Sequence, residues 1–316
     1  MLQKLIVEPS PHIRKNITTR KIMLDVIIAL APALVAAAFL FGLWAITLVA
    51  VCVISCVVFE FLVRIVMKKE QTVGDLSAVV TGLLLAFNLP PTLPLYIAVI
   101  GSFIAIVIVK ELFGGIGQNF ANPAITARIV LALSFTSQMT KWVQPFFFRD
   151  GTSHIDAVAT ASPLAIEASV GEFPSMMQLF LGNHSGCIGE TSAIALIIGG
   201  IYLVCRRVIS PITPLAFIGT VAGLALITGD NAINQILMGG LLIGAIFMAT
   251  DYSTTPLNPI GKLIFGIGCG VITYAIRALG SAPEGVSFSI LFMNILTPHI
   301  DRLTRTRPFG MVKSQS

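Results

Sequence analysis

Apolar residues run along this chain in blocks of 14 to 24 positions, separated by short polar punctuation, from about residue 22 to residue 300. An α-helix needs roughly 20 predominantly apolar residues to cross a bilayer. On that measure the blocks predict ten spanning helices, at about 22–40, 43–66, 75–88, 94–112, 121–137, 191–207, 212–228, 232–250, 260–279 and 286–300. Ten spans put both termini on one side. The third block is short and ends in Asn88-Leu89-Pro90-Pro91, and the eighth breaks into Thr250-Asp251-Tyr252-Ser253-Thr254-Thr255-Pro256. Both predict interrupted helices.

A weak internal echo adds to this pattern. Thr81-Gly82-Leu83-Leu84-Leu85-Ala86 with Pro90-Pro91-Thr92-Leu93-Pro94 parallels Gly239-Gly240-Leu241-Leu242-Ile243-Gly244 with Thr255-Pro256-Leu257-Asn258-Pro259. Five spans separate the two, so the halves would enter the membrane in opposite senses, as in inverted-repeat folds whose broken helices meet near the midplane. Chance similarity between Gly/Leu-rich helices is the competing explanation. The expected fold is therefore an all-α polytopic membrane protein of about ten helices in a five-plus-five inverted repeat. Its divisions are an N-terminal segment 1–21, a first repeat 22–137, a polar connection 138–190, a second repeat 191–300 and a tail 301–316.

Composition agrees with burial in lipid: 55% of the 316 residues are hydrophobic and only 11% charged, against about 25% charged in an average soluble domain. A soluble globule, a disordered chain and a secreted disulfide scaffold are excluded. The net charge of +5 does not mark a nucleic-acid face, because the basic residues cluster between apolar blocks. On the ten-span ladder, sixteen of the twenty Lys and Arg fall on the side of the N-terminus, among them Arg20, Lys21, Arg64, Lys110, Arg206 and Lys262. By the positive-inside rule both ends are then cytoplasmic, and 138–190 lies outside. The five cysteines form no CxxC pair and no zinc or iron–sulfur spacing with His. No cleavable signal is evident, so the N-terminus is expected to stay on the chain.

The polar connection contains Asp156-Ala157-Val158-Ala159-Thr160-Ala161-Ser162-Pro163-Leu164. This stretch resembles the target of a flavin transferase, which esterifies FMN through its phosphate to a hydroxyl flanked by small side chains. Aligned on Asp156, Ala161 and Pro163-Leu164, the acceptor is Ser162, with Thr160 the alternative. Ser162-Pro163 also reads as an ordinary helix N-cap with proline at the first helical position. The two readings are compatible, since a phosphate is favoured at a helix N-terminus. Acids and a cation inside apolar blocks are functional candidates by default, here Asp25, Asp75, Asp251 and Arg128. Asp25 and Asp251 are the better placed for ion passage, the competing explanation being internal pairing or a helix-end contact. Gly114-Gly115-Ile116-Gly117 is not a dinucleotide fingerprint, because no strand precedes it.

Further segments carry a family resemblance over nearly the whole chain: Ser10-Pro11-His12-Ile13, Thr18-Thr19, Ile22-Met23, Gly114-Gly115-Ile116-Gly117-Gln118-Asn119 with Asn122-Pro123-Ala124, and Met248-Ala249-Thr250-Asp251 through Asn258-Pro259-Ile260-Gly261-Lys262. These resemble the D subunits of Rnf complexes and, more distantly, the B subunits of sodium-pumping NADH:quinone oxidoreductases. The resemblance implies a urea/ammonium-channel-like helix fold in a prokaryotic plasma membrane. It also implies a role in a ferredoxin:NAD oxidoreductase that couples electron transfer to Na⁺ or H⁺ transport. Implied with it are a covalent FMN at Ser162, Asn119 and Asn122 beside a cofactor, and a second, non-covalent riboflavin on which the residues themselves are silent. The implied partners are the flavin-bearing G subunit, the membrane A and E subunits, and the transferase that installs FMN. Two other readings stand beside this one. The broken helices suit a small-solute channel or transporter, and a purely structural membrane anchor is the third, though it leaves the Ser162 motif unexplained.

Overall fold

The computed structural model describes residues 18–147, 175–280 and 285–305, and the regular structure within them is helical. Two long apolar helices come first, α1 (Thr19–Phe41) and α2 (Leu43–Val66). Thr18 caps α1 by accepting from Lys21 N, and Gly42 makes the corner between the two with φ 73°, a conformation that glycine adopts without a Cβ clash. A short α3 (Ser77–Phe87) follows, then α4 (Leu95–Phe103), which widens into a π segment at Ile104–Glu111. Next come α5 (Pro123–Ser134), α6 (Thr136–Met139), α7 (Met176–Leu181), α8 (Ala193–Cys205), α9 (Ile212–Thr228) and α10 (Ala232–Leu237). The single turn of α11 (Leu241–Ile243) runs into a second π segment, Gly244–Met248, before the long α12 (Pro259–Leu279) and α13 (Val286–Leu303) close the chain.

The short elements lie at the centre. In α3, Leu83 to Phe87 are all buried, and every residue of the Gly244–Met248 π segment is buried. The long helices surround them: α2 packs on α3 and α4, α1 on α8, α9 on α12, and α12 on α13. Their outer faces expose Val35, Phe39, Ile54, Leu62 and Ile260, as lipid-facing helices do. Small residues set the closest approaches. A Cβ on Gly199 of α8 would stand 2.1 Å from the Ala29 carbonyl oxygen of α1, and one on Gly82 of α3 would stand 2.7 Å from Val53 Cα of α2. The contacts of Gly266 with the Thr213 carbonyl and of Gly270 with Thr220 show that α9 and α12 run in the same direction.

The ten-helix, five-plus-five expectation is corrected here. Among the described residues three helices are long and apolar enough to cross a membrane, α1, α2 and α12. The blocks at 75–88, 121–137, 191–207 and 212–228 form helices of 11, 12, 13 and 17 residues; at about 1.5 Å per residue the first of these is about 16 Å long. The blocks at 94–112 and 232–250 are broken by π segments, and α13 carries Asn294, His299, Asp301 and Arg302. Counting apolar residues assumes that a block is one straight helix with lipid around it. Here the central blocks are apolar because protein surrounds them, and they break where Asn88-Leu89-Pro90 and Gly239-Gly240 interrupt the ladder.

Backbone freed by a break must find partners inside the protein. At the end of α3, Asn88 Nδ2 donates to the Leu84 carbonyl at 2.7 Å. The carbonyls of Phe87 and Leu89 accept from Gly189 N at 2.9 Å and Ile188 N at 3.1 Å. The two interrupted segments do meet, Asn88 Nδ2 lying 3.6 Å from Met248 Sδ.

Candidate functional site

Where α1, α3, the turn before α5 and the segment after the second π helix converge, they enclose a cavity of about 100 Å³. Ser77, Lys110, Asn119, Asn122, Thr250 and Asp251 supply its polar wall, while Met23, Val26, Leu84 and Phe247 supply apolar surface. A wider cleft of about 440 Å³ shares Ile22, Met23, Ile116, Asp251 and Ser253 with it and extends to Asp301.

Asn122 owes its position to helix chemistry. Its Oδ1 caps α5 by accepting from Ala124 N at 3.0 Å and Ile125 N at 3.3 Å, with Pro123 at the first helical position. Asn294 of α13 ties this turn to the Asp251 segment, accepting from Asn122 N at 3.1 Å and donating to the Thr254 carbonyl at 3.1 Å. The Asn122 amide nitrogen makes no bond among the described residues. Asn119 presents a buried Oδ1 without a partner among the described residues. A buried polar atom left unpaired is costly, so the Asn119 oxygen, with the Asn122 amide beside it, favours a polar ligand there. On the opposite wall, Asp251 Oδ2 accepts from Ser253 Oγ at 3.1 Å and Thr254 Oγ1 at 3.2 Å. Tyr252 donates its hydroxyl to the Val208 carbonyl.

Behind the cavity lies a buried charge network. Lys110 Nζ is 2.6 Å from Glu60 Oε2 and 2.7 Å from Ser77 Oγ, and Thr72 Oγ1 donates to Glu60 Oε1 at 2.6 Å. Asp75 holds Ser77 in place, its Oδ1 accepting from Ser77 N at 2.8 Å and from Ser77 Oγ at 2.5 Å. One helical turn further along α2, Arg64 Nε pairs with Glu111 Oε2 at 3.1 Å. The Gly115 backbone, at φ 97°, leaves room for that guanidinium: a Cβ there would lie 2.5 Å from Arg64 Nη2. The glycine run thus has a packing role, while its neighbour Ile116 reaches the cavity wall.

Of the residues singled out from sequence, Asn119, Asn122 and Asp251 share this cavity. Asp25 does not line it. Its Oδ1 accepts from Tyr202 Oη at 2.9 Å and pairs with Arg206 Nη2 at 3.3 Å, tying α1 to the end of α8. Arg128 is buried under the C-terminal end of α3, donating from Nε to the Asn88 carbonyl at 3.2 Å and from Nη1 to Ser287 Oγ at 2.5 Å. Asp156, Thr160, Ala161, Ser162 and Pro163 lie outside the described residues. Sequence reasoning missed Glu60 and Glu111 and treated Arg64 and Lys110 only as markers of topology. The signal was present: Glu60 and Arg64 stand four residues apart, on one face, inside an apolar block.

A helical membrane protein whose interrupted helices enclose an amide- and carboxylate-lined cavity, backed by buried ion pairs, is the class these observations define. The model of the NQR2, RnfD, RnfE family matches residues 6–310, and the chain belongs to that family. It is 49% identical to the D subunit of the Na⁺-translocating ferredoxin:NAD⁺ oxidoreductase complex of Acetobacterium woodii, over 98% of this chain and 96% of that one. It is 42% identical to the D subunit of the proton-translocating ferredoxin:NAD⁺ oxidoreductase complex of Clostridium ljungdahlii, over 96% of each chain. To the D subunit of the ion-translocating oxidoreductase complex of Stutzerimonas stutzeri it is 37% identical, over 92% of each.

Proposed function

We propose that this chain is the D-type membrane subunit of a redox-driven, ion-translocating ferredoxin:NAD oxidoreductase of prokaryotes, and that it carries FMN esterified to Ser162. The observation that carries this reading is end-to-end similarity, at up to 49% identity, to D subunits of such complexes. Ser162, with Thr160 as the alternative, supplies the hydroxyl. Ala159, Thr160 and Ala161 before it supply the lack of side-chain bulk that such an esterification needs.

A second, non-covalent flavin, riboflavin, needs more room than the roughly 100 Å³ beside Asn119 and Asn122, and the adjoining cleft of about 440 Å³ supplies space of the size such ligands occupy. The unpaired Asn119 Oδ1 and the unspent Asn122 amide nitrogen match the mixed donor and acceptor edge of a flavin ring. Met23, Val26, Leu84 and Phe247 suit its apolar body. Bound flavins supply the acceptance and release of electrons. The residues of this chain hold and orient them, and the packed helices exclude water. Asp251 faces the same cavity, so a cation drawn to its carboxylate would sense charge placed there. The coupling ion is Na⁺ or H⁺. The A, E and G subunits are the expected neighbours, and the clustering of Lys and Arg near one edge of the helices supports a cytoplasmic side there.

The test is ultraviolet fluorescence of the denatured chain on a gel, wild type against Ser162→Ala, each produced with its flavin transferase, followed by peptide mass analysis of 138–190. Fluorescence in the wild type and none in the variant is the expected result. A fluorescent variant moves the ester to Thr160, and a dark wild type refutes the covalent flavin.

A further inference from the structure

A second cavity, of about 380 Å³, opens beside the first at the starts of the parallel helices α9 and α12. Its chemistry is the reverse of the first. Arg207 and Lys262 line it together with Ser210, Thr213, Thr250 and Thr255, and no carboxylate does among the described residues. Neither basic side chain has a hydrogen bond or an ion pair with any described residue, whereas Arg206 next door is paired with Asp25. Thr213 is 2% exposed, yet its hydroxyl also has no partner among the described residues, and it faces this cavity. Arg207 is held at φ 56°, a left-handed conformation that is uncommon for a non-glycine residue.

The backbone adds to the positive field. Pro211 precedes the first residue of α9 and Asn258 that of α12, and neither of these N-cap residues bonds its first turn through its side chain; Ser210 Oγ accepts from Ile212 N at 3.5 Å. The Asn258 amide is spent elsewhere, donating to the Thr304 carbonyl at 2.9 Å. Because the helices are parallel, both positive dipole ends fall at the same cavity, where an anion is favoured.

We propose that this cavity is a binding site for a phosphate group, with Arg207 and Lys262 as the charged ligands and Thr213 as a buried hydrogen-bond donor. The rim favours phosphate presented by an anionic phospholipid: Val204, Leu257 and Ile260 are exposed apolar side chains beside it, in position to meet acyl chains. Basic pockets between membrane helices take anionic headgroups in this way. The proposal is independent of the flavin assignments.

The test uses the purified full chain, exchanged into delipidating detergent and examined by native mass spectrometry with three probes: phosphatidylglycerol, phosphatidylcholine of matched chains, and inorganic phosphate. Phosphatidylglycerol is expected to bind in preference to phosphatidylcholine. Arg207→Asn/Lys262→Gln is expected to weaken it by about thirtyfold, and Thr213→Val severalfold. Lys68→Asn removes a cation at φ 54° that does not line this cavity, and it should leave binding unchanged. If inorganic phosphate alone binds with the same dependence on Arg207 and Lys262, the site stands and its ligand is a soluble phosphate. Wild-type binding in the double variant, or an equal loss in Lys68→Asn, overturns the proposal. Should the double variant fail to fold, Arg207→Asn and Thr213→Val carry the test, since Asn tolerates the left-handed backbone; wild-type binding by both overturns it.

Discussion

Replacing Lys110 by Met keeps the length of the side chain and removes its charge from a place where water cannot compensate. Lys110 and Glu60 side chains are 3% and 0% exposed and stand 2.6 Å apart. Taking away one partner leaves a buried carboxylate facing apolar surface, and such single removals cost about 3–5 kcal/mol. Glu60 would keep the hydrogen bond from Thr72 Oγ1, and Ser77 Oγ would keep Asp75, so the lower end, about 3 kcal/mol, is expected. The double variant Glu60→Gln/Lys110→Met carries no orphaned charge, and its Gln can still accept from Thr72. It should recover most of the loss, giving a coupling energy of about 2 kcal/mol or more in the cycle. Unfolding in mixed micelles of rising denaturing-detergent fraction, followed by fluorescence of Trp44 and Trp142, measures both. A Lys110→Met protein within about 0.5 kcal/mol of wild type would refute the reasoning, as would a double variant no more stable than the single one. Either result would mean that water or lipid headgroups reach the pair.

Two further predictions follow from single atoms. Asn122→Asp keeps an oxygen to cap α5 and should hold stability, whereas Asn122→Ala should lose about 1 kcal/mol; both remove the amide nitrogen that faces the cavity, so both should lose acid-extractable, non-covalent flavin, and unchanged flavin in both would sink that assignment. His184, in the turn between α7 and α8, is buried, and desolvation lowers its pKa from the ordinary 6.5. It takes up a proton less readily in the fold than in the unfolded chain, so its contribution to stability is constant above about pH 7 and declines as the pH falls through 6.5. Stability measured from about pH 7.5 to 5 should therefore fall less in His184→Gln, and an identical slope would contradict it.

How far the site could be read in advance differs residue by residue. Asn122 came into view only through the resemblance of the Asn122-Pro123-Ala124 segment, and the structure adds that it caps α5. Asp251 was singled out as an acid in an apolar block, with a helix-end contact as the competing explanation, and the structure shows both a cavity position and local bonds from Ser253 and Thr254. Asp25 looked equivalent and is not, since its partner Arg206 lies 181 residues away along the chain. Glu60 and Lys110 are separated by 50 positions, and each by itself resembles a charge near a helix end. Only their meeting at 2.6 Å makes them a buried pair.

The sequence by itself determined the solvent, the helical class and the family. All of these follow from composition, from the length of apolar blocks, or from motifs a few residues long. The tertiary structure decided what the apolar blocks are. A run of leucines and glycines is the same string whether lipid or protein surrounds it, and an apolar count registers the burial without naming the neighbour. Helix length was decided by where carbonyls such as those of Phe87 and Leu89 could be satisfied from Gly189 and Ile188, far along the chain. The same holds for both cavities: the amides of one and the cations of the other lack partners among the described residues, and that is visible only once those elements have their places.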